Sequence, residues 1–141
     1  GRVLLGDEMG LGKTVQALAL AACYQEEWPV LVVVPPSLRD AWVAATVKWL
    51  SGLVAESQIV VVHNNAKGAK LSGLFNIVSY NFMDKVIEEV NRRKFKVVIA
   101  DESHYLKDQK SQRSKVTVPV LKAAKRAICI TGCVLHVLRC G

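Results

Sequence analysis

Two short strings carry the residue types needed for phosphate chemistry: "GLGKT", Gly10 to Thr14, and "DESH", Asp101 to His104. In the first, glycines let the backbone turn tightly and aim amide N–H groups at anionic oxygens. A helix starting there adds positive potential at the same spot. Lys13 would reach the β- and γ-phosphates of a nucleotide, and the Thr14 hydroxyl would ligate magnesium. The strict phosphate-loop pattern wants glycine at position 7, where this chain has Asp7; a chance "GLGKT" in an ordinary turn is the plain alternative. In the second string, two carboxylates follow apolar "VVIA". Asp101 would hold magnesium, directly or through water, and Glu102 would orient or deprotonate the water that attacks the γ-phosphate. Alone, such a pair reads as a cap that starts a turn; together with the loop it reads as half of a nucleoside-triphosphate site. His104 is either a relay beside the γ-phosphate or a loop histidine with an ordinary partner. His63 has no catalytic neighbour in sequence and reads as structural.

These residues meet only if strands and helices carry them to one place. "RVLLG" (2–6) reads as a strand leading into the glycine turn. Residues 13–24 read as a helix, with Val15, Leu18, Ala19, Ala22 and Cys23 at helical spacing. "PVLVVVPP" (29–36) is a β-branched run of the kind buried on both faces. Ser37 is the expected N-cap of a helix reaching Leu50, on which Trp42 and Trp49 share a face and read as core. Further strands are "QIVVVH" (58–63), "FNIVSY" (75–80), "FKVVIAD" (95–101) and "AICIT" (127–131). Between "FNIVSY" and "FKVVIAD", residues 81–92 place Phe82, Val86, Ile87 and Val90 on one helical face. The stretch 51–75 is the least regular. Strands alternating with helices predict an α/β fold, a mostly parallel sheet with helices on both faces. Ligands of such sheets bind at the carboxyl ends of the strands, so Asp101 can face Lys13.

With 141 residues, the chain has the size of one domain. Its hydrophobic share of 51% excludes a disordered chain. No apolar run is long enough to cross a membrane, and no signal peptide opens the chain. It starts at Gly1, inside a strand-like run and without an initiator methionine, which reads as a fragment or processed piece. Cys23, Cys129, Cys133 and Cys140 form no CxxC pair, which favours a reducing compartment. Cys129, Cys133, His136 and Cys140 match no familiar zinc spacing, and the cysteines among them read as free thiols. The net charge is +7, of which the stretch Lys107–Arg126 carries +6: seven basic residues stand there against Asp108 alone. That stretch is either a solvated helix face, with Leu121, Ala124 and Ile128 buried beneath it, or a patch facing the phosphates of nucleic acid or nucleotide.

With the motifs placed, the chain resembles the first RecA-like lobe of superfamily-two helicases, a P-loop NTPase fold, and more narrowly a Swi/Snf-type DNA translocase. "GDEMGLGKTVQAL" is similar to motif I, whose family form tolerates a residue other than glycine at Asp7. "VLVVVPPSLRDAW" is similar to motif Ia, "IVSYNF" to the next DNA-facing motif, "DESH" to motif II, and "ITG" to the start of motif III. "YQEEWPVLVVVPPSLR" and "FKVVIADESHYLK" most resemble the annealing-helicase branch, which rewinds single-stranded bubbles and remodels stalled forks. The resemblance implies nucleotide contacts at Gly10, Leu11, Gly12, Lys13 and Thr14, with Lys13, Asp101 and Glu102 catalytic and Thr14 and Asp101 on magnesium. It implies that Ser37, Ser79, Tyr80 and Asn81 lie near the DNA backbone, and that His104, Thr131 and Gly132 couple nucleotide state to DNA. ATP, Mg2+, double-stranded or forked DNA, a second RecA-like lobe supplying arginine fingers, and a nuclear location follow as expectations.

The resemblance covers residues 1–132. Where the family continues "TGTP", this chain reads "TGCVLHVLRCG". Residues 133–141 are therefore an atypical tail, explained if the reading frame or splice pattern was lost at Gly132. Two other readings stay open: a non-catalytic fragment that binds nucleotide or DNA without the second lobe, and a small P-loop kinase. Against the kinase, no acceptor-binding lid follows "DESH".

Overall fold

The computed structural model describes residues 1–6, 10–64 and 67–131, with Gly10 and Leu11 by backbone alone. Asp7 and everything from Gly132 onward, including Cys133, His136 and Cys140, lie outside the described residues. Among the described residues there are six strands and four α-helices, alternating except where β4 directly follows β3: β1 (Arg2–Leu5), α1 (Gly10–Cys23), β2 (Val30–Val34), α2 (Arg39–Trp49), β3 (Ile59–Val61), β4 (Phe75–Ser79), α3 (Met83–Arg93), β5 (Val97–Ala100), α4 (Gln112–Ala123) and β6 (Arg126–Ile130). Every strand pair is parallel, in the order β1-β6-β5-β2-β4-β3. This is the α/β architecture expected from the alternation.

The four inner strands are almost wholly apolar because both of their faces are covered. Alternate residues point to opposite sides. Val32, Val34, Ile77 and Ile99 join Ala17, Leu18 and Ala21 of α1 and Trp42 of α2 in one core. Leu31, Val33, Val78 and Val98 join Met83, Val86 and Val90 of α3 and Leu121 of α4 in the other. Phe82 and Ile87 pack at the margin of that second core, so the face expected for α3 is the one it buries. Leu121 and Ala124 are likewise buried beneath the basic stretch, whereas Ile128 points to the other face of the sheet and joins the first core, which corrects its expected place under that stretch.

Three further local expectations are corrected. The inward face of α1 is Lys13, Ala17, Leu18 and Ala21, whereas Ala19 and Cys23 are exposed. The helix is rich in small apolar residues on every side, so its periodicity does not select a face. Ser37 does not cap α2: Pro36 starts a short 3-10 turn over Pro36–Leu38, Leu38 takes the cap position, and no side chain caps the helix. Trp42 is buried as expected, but Trp49 is 52% exposed, with the Lys48 ammonium 5.0 Å from its ring centroid.

The irregular stretch before β4 is tied down by one buried amide. Asn76 accepts from the Gly73 N–H at 2.9 Å and donates to the carbonyls of Gly73 and Val30. A Cβ at Gly73 would lie 2.6 Å from the Gln58 carbonyl oxygen, so no other residue fits that approach. Among the described residues no helix is long and apolar enough to cross a membrane.

Burial sets the expected mutational contrast. Ile99→Ala removes a fully buried side chain from β5 and should cost about 2–5 kcal/mol in urea unfolding. Trp49→Ala should cost less than about 1 kcal/mol; equal losses would contradict the assigned core.

Candidate nucleotide site

Parallel register brings the carboxyl ends of the inner strands level. Ala100 of β5 pairs with Val33 of β2 and with Cys129 of β6, and Leu5 of β1 pairs with Ile130. The residues leaving these strands, Asp101 and Thr131, therefore emerge beside the start of α1. Thr131 is fully buried, and its carbonyl accepts a hydrogen bond from the Lys13 ammonium at 3.1 Å. Lys13 itself is only 3% exposed. Thr14 is half-buried in the first turn of α1, which contains no acidic residue. Gly12 is exposed, and a Cβ there would meet no atom within 4 Å. Packing inside the lobe therefore does not require glycine at that position.

Asp101 is 6% exposed. Its Oδ2 accepts from the Trp42 indole N–H at 2.7 Å, and its Oδ1 accepts from the Glu102 backbone N–H at 2.7 Å. Burial pushes its carboxyl pKa above the ordinary value, a shift opposed by the Trp42 and Glu102 hydrogen bonds and by the Lys13 charge. A carboxylate offers about four lone-pair positions, so both oxygens keep capacity toward the site. The Asp101 carbonyl accepts from the Tyr80 hydroxyl at 2.7 Å. Burial also raises the Tyr80 pKa well above its usual value, which keeps that hydroxyl a donor.

Glu102 turns the chain in the left-handed region, φ 49° and ψ 49°. Its side chain is half-exposed, with Oε2 3.0 Å from His104 Nδ1. This is an ion-pair distance for a protonated ring, without hydrogen-bond geometry. Lys13, Asp101, Glu102, His104 and Thr131 thus belong to one neighbourhood. The four residues expected near DNA divide. Ser37 and Asn81 are exposed at the starts of α2 and α3, whereas Ser79 and Tyr80 are buried. Only the first two offer side chains to a surface ligand.

Sequence reasoning missed the indole bond to Asp101 and the phenol bond behind it. A signal existed, because a buried Trp or Tyr must place its polar hydrogen on some acceptor; the sequence does not say which. Arg39 also went unnoticed. It donates to the carbonyls of Pro36, Val62 and His63 and lies over the Phe82 ring, fixing the start of α2 against β3 and the 80–82 turn.

A model of the SNF2-related domain matches residues 2–135. The chain is 45% identical over 132 residues to the SWI/SNF-related matrix-associated actin-dependent regulator of chromatin subfamily A-like protein 1 of Xenopus laevis. It is 42% identical over 136 residues to the DNA annealing helicase and endonuclease ZRANB3 of Bos taurus. Each match takes in 94% of this chain but 13% of the relative, so the chain spans about an eighth of these proteins. Among solved structures it is similar to the Sulfolobus solfataricus SWI2/SNF2 ATPase core in complex with dsDNA: TM-score 0.70, 26% identity, 94% of this chain and 28% of that one.

Trp42→Phe tests the bond that holds the carboxylate. Loss of a hydrogen bond to a charged group should cost about 1.5–3 kcal/mol at neutral pH. The folded-state pKa of Asp101 is raised, so the folded chain binds the proton more tightly than the unfolded chain. Stability from this group therefore falls as pH rises from about 4 through the folded value. Trp42→Phe should push that value higher and widen the window, measured as urea midpoint against pH. An unchanged window would show that the indole does not hold Asp101.

Proposed function

This chain belongs to the SNF2-related family, and from that premise we propose that it is the first RecA-like, ATP-binding lobe of a DNA-dependent ATPase. The parent motor would translocate on double-stranded or forked DNA and remodel or anneal it in replication-fork repair, in the nucleus. The observation that carries this reading is the meeting of Lys13, at the start of α1, with Asp101, at the end of β5: both are buried, and the Lys13 charge acts on the Asp101 carboxyl.

The residues fit a magnesium nucleotide. Among the described residues Gly12 has no packing partner that demands glycine, which is what close approach of a ligand would explain. The first turn of α1 contains no acidic residue, and a helix N-terminus adds positive potential there. Asp101 is a carboxylate whose charge is disfavoured by burial, and a divalent cation would relieve that cost. Gly10, Leu11, Gly12, Lys13 and Thr14 would hold the phosphates, and Thr14 and Asp101 the metal. Magnesium, when bound, neutralises charge on the phosphate oxygens.

Lys13 would leave the Thr131 carbonyl for the phosphates, and that exchange gives Thr131 and its neighbour Gly132 a coupling role. Glu102 would accept the proton of the attacking water, with His104 steering its carboxylate. Ser37 and Asn81 would meet DNA phosphates, contacts that position without reading bases. The helix after Ser37 carries Trp42, and the turn holding Asn81 carries Tyr80. Motion of either segment would therefore reach Asp101. A second RecA-like lobe would close on the same site and supply arginine fingers.

ATP turnover with and without forked DNA tests the reading, beside Lys13→Ala and Glu102→Gln. Each substitution should lower DNA-stimulated turnover by about 10²-fold or more, while Glu102→Gln keeps nucleotide binding and Lys13→Ala loses it. Nucleotide binding that depends on Lys13 without any turnover would leave this chain the binding half alone. Turnover indifferent to Lys13 would sink the assignment.

A further inference from the structure

We propose that the groove between α3 and α4 docks an acidic amphipathic helix of a protein partner. These two helices lie on the same face of the sheet and bury a shared core. Toward their C-terminal ends a groove of about 830 Å³ opens between them. Its floor is apolar, built from Ile87 and Val90 of α3 and Val116, Pro119 and Val120 of α4. Its rim is basic: Lys94, Lys96, Lys115 and Lys125 all line it, and no carboxylate does among the described residues. Lys96 directly precedes β5 and Lys125 directly precedes β6. The groove therefore sits at the end of the sheet where these strands begin, opposite Lys13 and Asp101.

Charge and shape select the occupant. Of the four rim lysines only Lys125 makes an ion pair among the described residues, with Glu27 at 3.0 Å. Lys94 sits in the left-handed region at φ 51°, where glycine is the unstrained residue, so the chain carries a rim charge at a position that disfavours a side chain. Three lysine charges that make no ion pair among the described residues, with Lys125 beside them, frame an apolar floor and complement a ligand with acidic flanks and an apolar stripe. An amphipathic helix presents that pattern, and a third helix laid between two others is a recurring mode of recognition. Nucleic acid suits the lysines but not the floor. The one aromatic ring in the lining, Phe95, is 7% exposed with the Arg93 guanidinium over it at 5.8 Å, so no base can stack there.

The proposal concerns a surface remote from the nucleotide site and does not depend on the chain's hydrolytic competence. The probe is a fluorescein-labelled synthetic helix of about 14 residues, about 21 Å long. It has leucines at i, i+3, i+4 and i+7 and glutamates on the flanks, and its binding to the full chain is followed by anisotropy. Affinity should be in the micromolar range, as for a small interface. Lys96→Glu with Lys115→Glu, both exposed positions, should weaken it at least tenfold. Ala123→Trp, which fills the groove from an exposed site, should do the same with the charges intact. A lysine-flanked version of the peptide should not bind. Affinity unchanged from that of the unsubstituted chain in both variants would overturn the proposal. So would displacement of the peptide by duplex DNA whose own binding is lost in the charge-reversed variant, which would make the groove a nucleic-acid surface.

Discussion

The carboxylate of Asp101 is held almost out of water, and much of the surrounding structure exists to make that tolerable. A buried charge is costly unless hydrogen bonds and an opposite charge compensate it. Here the compensation comes from three separate parts of the chain: the Trp42 indole on α2, the Glu102 amide in the turn itself, and the field of Lys13 on α1. Tyr80, in the turn after β4, takes the carbonyl of the same residue. The pKa of Asp101 stays raised, so the compensation is incomplete. Such residual cost is what the proposed magnesium would relieve.

That clustering depends on the sheet. In an all-parallel sheet every strand ends on the same side, and the register aligns β6, β5, β2 and β4 so that the residues leaving them lie in one row. A slip of one residue would turn Asp101 toward the other core and exchange the two faces of β5. The continuous apolar runs of β2 and β5 cannot prevent such a slip by alternation, since both faces are buried. The Asn76 bonds to Val30 and Gly73 add a polar anchor that pins β4 against its neighbour.

The basic stretch 107–126 resolves into several local roles. Arg113 lies over the Tyr105 ring, which in turn stacks on Tyr80, so that cation belongs to the layer behind Asp101. Lys125 and Arg126 pair with Glu27, holding its carboxyl pKa below the usual value, and Arg126 also covers the Tyr24 ring. Lys115 and Lys125 line the groove at the far end of the sheet. Among these charges, Lys115 and Lys125 line the end of the sheet opposite Lys13 and Asp101, and Arg126 opens β6 at that same end.

The amino-acid order alone determined the alternation of strands and helices, the burial of the inner strands on both faces, and the two strings that carry the candidate chemistry. These are local properties: β-branched runs, prolines and glycines at turns, and spacing within a dozen residues. Lys13 and Asp101 could be named as partners because parallel sheets have one functional end. Only the tertiary structure decided which side of α1 faces inward, that Trp49 is exposed, and that Trp42 and Tyr80 hold Asp101. Each of these depends on contacts between residues far apart in sequence. A tryptophan's need for an acceptor is written in its chemistry, but the identity of that acceptor is set by where β5 happens to end.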